Sequence, residues 1–151
     1  MATKLRFTPP DYLLVFIALE ILAHYFFPIK QIISSSYNYF GIALIVLGQI
    51  PNFWIYFQFK NLKTTVKPYV LPKRLVTSGL FSIGRNPVYF GMALTLLGIA
   101  ILLGSAITFV FPVLFVILTD IFVIPTEEKN LGKVFGKEYA DYKRKVGRWI
   151  R

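Results

Sequence analysis

The sequence predicts an all-α membrane protein of about four transmembrane helices followed by an amphipathic helical tail at the carboxyl terminus. Three observations lead there. The 151 residues are 56% hydrophobic with a mean hydropathy of +0.60, too apolar for an ordinary soluble domain and long enough for one small helical bundle. Four apolar runs approach the roughly 20 residues needed to cross a hydrocarbon core of about 30 Å. After the last run, apolar and basic residues alternate at helical spacing. The whole chain, 1–151, reads as a single domain.

The runs cover residues 12–27, 39–59, 88–103 and 106–124. No small-residue cleavage pattern follows the first before Pro28, so it reads as a retained helix, not a signal peptide. The third is short, which implies little tilt or partial burial in protein. Its start is marked by Asn86-Pro87: asparagine can cap free backbone N–H groups, and proline fits the first helical position without losing a hydrogen bond. The helix therefore begins at Pro87. Gly91, Thr95 and Gly98 make a small-residue stripe that allows a neighbouring helix to pack closely. Gly104-Ser105 leaves room only for a tight antiparallel hairpin. In the tail, Leu131, Val134, Phe135, Tyr139, Tyr142, Val146 and Trp149 oppose Lys133, Lys137, Lys143, Arg144 and Arg148, giving an interfacial helix broken near Gly136.

Charge sets the expected orientation. Lys4 and Arg6 precede the first run, only Lys30 lies in the first loop, residues 60–85 are rich in Lys and Arg, the hairpin tip has none, and the tail from Lys129 is basic. By the positive-inside rule both termini and the 60–85 segment, hence any site built there, face the cytoplasm. The net charge of +10 fits anionic membrane lipids as partners and not nucleic acid, for which no binding motif is present. With no cysteine and one histidine, thiol and disulfide chemistry are excluded and a zinc site is disfavoured.

Several polar residues fall in or beside the spans. Glu20 and His24, one turn apart, read either as intramembrane functional residues or as a mutually hydrogen-bonded pair packed inside the bundle; Gln49 and Asn52 flank Pro51. Arg85 stands at the mouth of the third helix, where its five donors suit a carboxylate or phosphate, or a membrane-interface anchor, and Tyr89 is one turn inside. Glu127 and Glu128 either offer a counter-ion to an ammonium or favour a helix amino terminus capped by Thr126 after Pro125. Asp120 lies seven residues before Glu127, so the two share a face if the helix runs on, making Asp120 a candidate on the substrate side.

Two blocks carry a resemblance. The first is L-V-T-S-G-x-F-x-x-x-R-N-P-x-Y-x-G from Leu75; the second is E-E-x-x-L-x-x-x-F-G-x-E-Y-x-x-Y-x-x-x-V-x-R-W from Glu127. Together, over residues 73–149, they resemble the carboxyl-terminal half of the isoprenylcysteine carboxyl methyltransferase family and its bacterial relatives. Residues 1–59 show no such motif and read as generic membrane helices. The resemblance implies S-adenosylmethionine as cofactor and a lipophilic small-molecule or lipid-linked methyl acceptor. It implies that Glu127, or its neighbour Glu128, pairs with the cofactor's ammonium. Arg85, Asn86 and Tyr89, around Pro87, would face its carboxylate and ribose, while the backbone near Lys73, Leu75 and Val76, with Phe81, would line the adenine slot. The chain departs from the family where R-H-P becomes Arg85-Asn86-Pro87 and where an aromatic that is often Tyr is Phe81. The base that prenylcysteine enzymes carry before the acidic pair is also missing from residues 121–125, so a prenylated protein is not the expected acceptor. A nicotinamide-dependent reductase related to sterol reductases, or a non-catalytic membrane protein with the same fold, are the alternatives.

Overall fold

A computed structural model of the chain describes residues 8–27, 29–63 and 72–150. Lys4, Arg6 and residues 64–71 of the basic segment, which enter the orientation argument, lie outside them. Five helices follow in order: α1 (Pro9–Phe26), α2 (Phe40–Asn61), α3 (Pro87–Leu103), α4 (Val110–Leu118) and α5 (Ile124–Lys145). A 3₁₀ turn, Gly79–Ser82, precedes α3, and another, Ala106–Phe109, leads into α4. A π-helical turn, Thr119–Val123, joins α4 to α5, so the 40 residues of Ala106–Lys145 form one apolar-to-amphipathic rod as far as a kink at Gly136. This rod, α1 at 18 residues and α2 at 22 are each long and apolar enough to cross a membrane; α3, at 17, is shorter. The expected all-helical architecture with a helical tail is therefore present, with three helices long enough to span and α3 as a fourth, shorter apolar helix, and among the described residues there is no strand.

The short third helix is central. Tyr89, Met92, Leu96 and Ala100 are buried along it, and Phe115 of α4 and Ile124 of α5 close the core with Tyr89, Met92 and Leu96. Against α2 the contact is backbone to backbone. Gly41 faces Gly98 and Gly48 faces Gly91 so closely that a methyl group on any of the four would overlap the carbonyl oxygen opposite. Lipid offers helices no hydrophobic reason to associate, so close approach through small residues supplies the packing energy.

At the far end, Gly104 takes the left-handed conformation (φ 72°) that ends α3, and its N–H returns to the Ala100 carbonyl. The loop before α2 covers the last two carbonyls of α3: Asn38 Nδ2 donates to Leu102 O at 2.9 Å and Gln31 Nε2 to Leu103 O at 3.0 Å. His24 Nδ1 pairs with Ser105 Oγ at 2.9 Å. The expected Glu20–His24 pair is thus not made. Glu20 is fully buried, with neither carboxylate oxygen partnered, and the histidine is taken by the hairpin turn.

Candidate functional site

At the other end of α3, the chain folds its last residues back on the approach to the helix. α5 bends at Gly136 (φ 48°, ψ −117°), a left-handed backbone that interrupts the helix where the sequence placed the break. The second half of α5 then lays Tyr139, Tyr142 and Val146 over Leu75, Phe81, Leu131 and Phe135. Val134, expected on this apolar face, is instead exposed. Beyond α5, residues 146–149 cross the Gly84-Arg85-Asn86 segment as a strap. The Arg85 N–H donates to Gly147 O at 2.9 Å, Arg85 Nε to Val146 O at 3.0 Å and Asn86 Nδ2 to Arg148 O at 2.9 Å. A side chain at Gly84 would overlap the Trp149 carbonyl, which is why glycine is needed there.

Asn86 occupies the cap position of α3, but its side chain makes no cap hydrogen bond. The amide is drawn off to the strap, which corrects the capping role read from sequence. Thr126 does not cap either. The rod is continuous through the π turn, so there is no free helix start at Pro125, and the Thr126 hydroxyl donates back to Phe122 O at 2.9 Å.

The two adjacent acids have opposite surroundings. Glu128 is surrounded by cations: Arg85 Nη1 at 2.6 Å, Lys143 Nζ at 2.8 Å, and Arg148 through Nε at 3.2 Å and Nη2 at 3.3 Å. The Arg85 and Glu128 side chains are only 8% and 9% exposed, so this pair is a buried one. Tyr139 OH lies 3.3 Å from Arg85 Nη1. Glu127 points the other way and accepts the Tyr89 hydroxyl at 2.7 Å, beside Tyr12 of α1 in the same core.

Asp120 is likewise engaged by the strap. Both its oxygens face Arg148 Nη1, at 3.1 and 3.2 Å, and one accepts Trp149 Nε1 at 2.9 Å. Arg148 therefore bridges Asp120 and Glu128, not Glu127. The π turn explains the difference: closing i→i+5 instead of i→i+4, it adds one residue and moves the carboxylate that aligns with Asp120 from seven to eight positions along. The hydrogen bond to Glu128, reinforced by Asp120, holds the Arg148 guanidinium above its ordinary pKa against partial desolvation, so its charge is permanent.

Of the remaining expected residues, Val76 and Pro87 are buried, Leu75 and Phe81 lie under α5, and Lys73 is exposed. The Phe81 carbonyl accepts the Tyr142 hydroxyl at 2.6 Å, so α5 is fastened to the segment expected to line an adenine slot. The structure joins Arg85 and Glu128 in one network with the strap that also holds Asn86 and Asp120, and sets Tyr89 and Glu127 apart from it as a separate hydrogen-bonded pair. Sequence reading gave Lys143, Arg148, Tyr139 and Trp149 only a place on an amphipathic face. The V-x-R-W run that closes the second motif block was the available signal, but the partners of Arg148 and Trp149 lie 20 or more residues away.

A family model described as phospholipid methyltransferase matches residues 37–138, about two thirds of the chain. The chain belongs to the phospholipid methyltransferase family. That family lies within the isoprenylcysteine carboxyl methyltransferase-like superfamily, so the resemblance drawn from the two motif blocks holds. The match takes in α2, which carried no recognisable motif, and stops before the strap. An uncharacterized protein of Haemophilus influenzae is 35% identical over 63 residues, which is 42% of this chain and the whole of that protein. Membership in the phospholipid methyltransferase family, with the apolar helices, makes this a membrane protein of methyltransferase type.

Proposed function

We propose that the chain transfers a methyl group from S-adenosylmethionine to a lipophilic or lipid-linked acceptor, with the cofactor held on the cytoplasmic side around Arg85, Tyr89 and Glu127. One observation carries this reading. Of the two neighbouring carboxylates, Glu128 is saturated by three cationic side chains, whereas the interaction described for Glu127 is a single neutral hydroxyl. A carboxylate in that state is suited to an ammonium, and the donors that Arg85 (Nη2) and Asn86 (the second amide N–H) keep beyond their contacts with Val146 O, Glu128 and Arg148 O suit a carboxylate and hydroxyls. This donor set fits the zwitterionic amino-acid end of S-adenosylmethionine.

When bound, the cofactor supplies a methyl group already activated by a sulfonium. The chain's own work is therefore orientation and exclusion of water. Tyr89 fixes the Glu127 carboxylate, Glu128 fixes Arg85, and the strap with Tyr139 and Tyr142 shields the region from solvent. Asn86 holds a position by hydrogen bonding and moves no proton at physiological pH. The cytoplasmic assignment rests on the positive-inside pattern of the sequence, including Lys73, Arg74 and the basic face of α5.

Thermal unfolding with and without S-adenosylhomocysteine tests the reading. The parent should be stabilised, NADPH should have no effect, and Glu127→Gln should weaken binding by about 1.5–3 kcal/mol, the range for a hydrogen bond to a charged group. Equal stabilisation of parent and Glu127→Gln would overturn the assignment of Glu127, and stabilisation by NADPH instead would overturn methyl transfer.

A further inference from the structure

The rod that runs through the π turn changes character along one line. Phe122, Thr126, Lys129 and Lys133 are spaced by four, three and four residues, which stacks them on one face of the helix, and all four are exposed. Phe122 is 64% exposed and continues an exposed apolar surface of Val113, Ile117 and Ile121, the surface an apolar span turns to lipid. That surface ends at Thr126. Lys129 follows about 10 Å along the axis from Phe122 and Lys133 about 16 Å, at 1.5 Å per residue. The headgroup layer that borders the hydrocarbon is about 5–8 Å deep on each side. Lysine stems fold along a helix to carry their ammonium groups to that layer, so both residues reach it.

These two lysines lack what other cations of the tail possess. Lys143 and Arg148 are held by Glu128, and Arg144 by Asp141. Among the described residues no acid pairs with Lys129 or Lys133. In the sequence no acid stands three or four positions from either, and each has another lysine four positions on, Lys133 and Lys137. Like charges at that spacing oppose the helix that carries them. Glu127 and Glu128, the nearest acids, are engaged with Tyr89 and with Arg85 on the inner side of the rod. The compensating anion for the outer row must therefore come from outside the chain.

We propose that Lys129 and Lys133 together bind the phosphate of an anionic glycerophospholipid whose acyl chains lie against Ile121 and Phe122. The continuity of the row with the lipid-facing surface selects a lipid over a soluble anion. The charge of the row selects the headgroup: one that ends in an ammonium would bring a further cation to two unpaired lysines, whereas one that ends in glycerol would not. Because the row is on the outer side of the rod, this lipid is a bound neighbour and not the methyl acceptor. The site stands whether or not the chain transfers a methyl group.

Electron spin resonance of spin-labelled phosphatidylglycerol and phosphatidylcholine, with the full chain reconstituted in phosphatidylcholine bilayers, tests it. The parent should select phosphatidylglycerol. Lys129→Gln/Lys133→Gln should lower that selectivity by about fivefold or more, the effect of one to two basic residues at a membrane surface. Lys60→Gln/Lys63→Gln removes the same charge from exposed positions at the end of α2 and should lower it by less than about twofold. Lys129→Arg/Lys133→Arg, which keeps both charges, should retain it. No selectivity in the parent, equal losses in the two glutamine variants, or loss in the arginine variant would overturn the site, the second of these by assigning the preference to diffuse surface charge. Selectivity abolished by millimolar inorganic phosphate, but not by chloride at the same ionic strength, would give the row to a free anion and overturn the lipid.

Discussion

The two contacts that hold α3 are built from opposite materials. Its middle meets α2 through four glycines and bare backbone. Its approach, residues 84–86, meets α5 and the strap through a buried arginine, a saturated carboxylate and backbone carbonyls. The contrast teaches how depth in a membrane selects the kind of bond. Where lipid surrounds the helices, charge is costly and close packing must serve; at the end nearer water, charges can be assembled because partners and solvent compensate their burial.

Breaking the polar contact should have the larger effect. Glu128→Leu leaves Arg85 buried without its counter-ion, deprives Lys143 of its partner and leaves Arg148 with Asp120 alone, so a loss of about 3–5 kcal/mol is expected in thermal unfolding of the purified protein. Limited proteolysis should then release residues 146–149 first. The glycine contact comes next. Gly48→Ala forces α2 away from the Gly91 carbonyl and should cost about 1–3 kcal/mol, the range for overpacking a tight contact. Parent-like stability would mean the helices can separate freely, and the contrast would collapse.

A finer test concerns Asn86. Asn86→Leu should cost about 1 kcal/mol for the hydrogen bond to Arg148 O. Asn86→Asp should not restore it, because a carboxylate cannot donate to a carbonyl, whereas a capping side chain would tolerate aspartate well. Full stability of Asn86→Asp would return the residue to a capping role. The smallest effect is expected at Asp120. Its carboxylate and the Arg148 side chain are about one third exposed, so Asp120→Asn should cost no more than about 1 kcal/mol and less in high salt. Fluorescence of Trp149 in a Trp54→Phe background would report whether the strap loosens.

Local signals were legible in the sequence. Pro87, Gly104 and Gly136 each act on backbone geometry within a turn, and each marked its boundary correctly. The apolar lengths gave the spans, and the two motif blocks gave the family. What remained hidden depends on rotation and distance. A π turn leaves no residue signature in T-D-I-F-V, yet it decides that Asp120 aligns with Glu128 and not with Glu127. Asn86 looked like a cap because the position is one; the competing carbonyl of Arg148, 62 residues away, could not be seen. Glu20 and His24 looked like a pair by spacing, but the hairpin turn offered the histidine a hydroxyl. The resemblance favoured Glu127, but that three cations would gather around Glu128 and leave Tyr89 to Glu127 was unreadable until the fold had placed them.

The glycine contact has a mechanical consequence. Gly41 and Gly48 on α2, and Gly91 and Gly98 on α3, are each seven residues apart, two pins set in two matching holes. Two pins fix both the height and the rotation of one rod on another, so α2 and α3 move as a single plank. α1 has no such fixture: only Pro9 and Glu20 along it are buried, against eight residues of α3. α1 instead meets the bundle through side chains, Phe16 edge-on to Phe115 and His24 on Ser105 Oγ, contacts that set no backbone register.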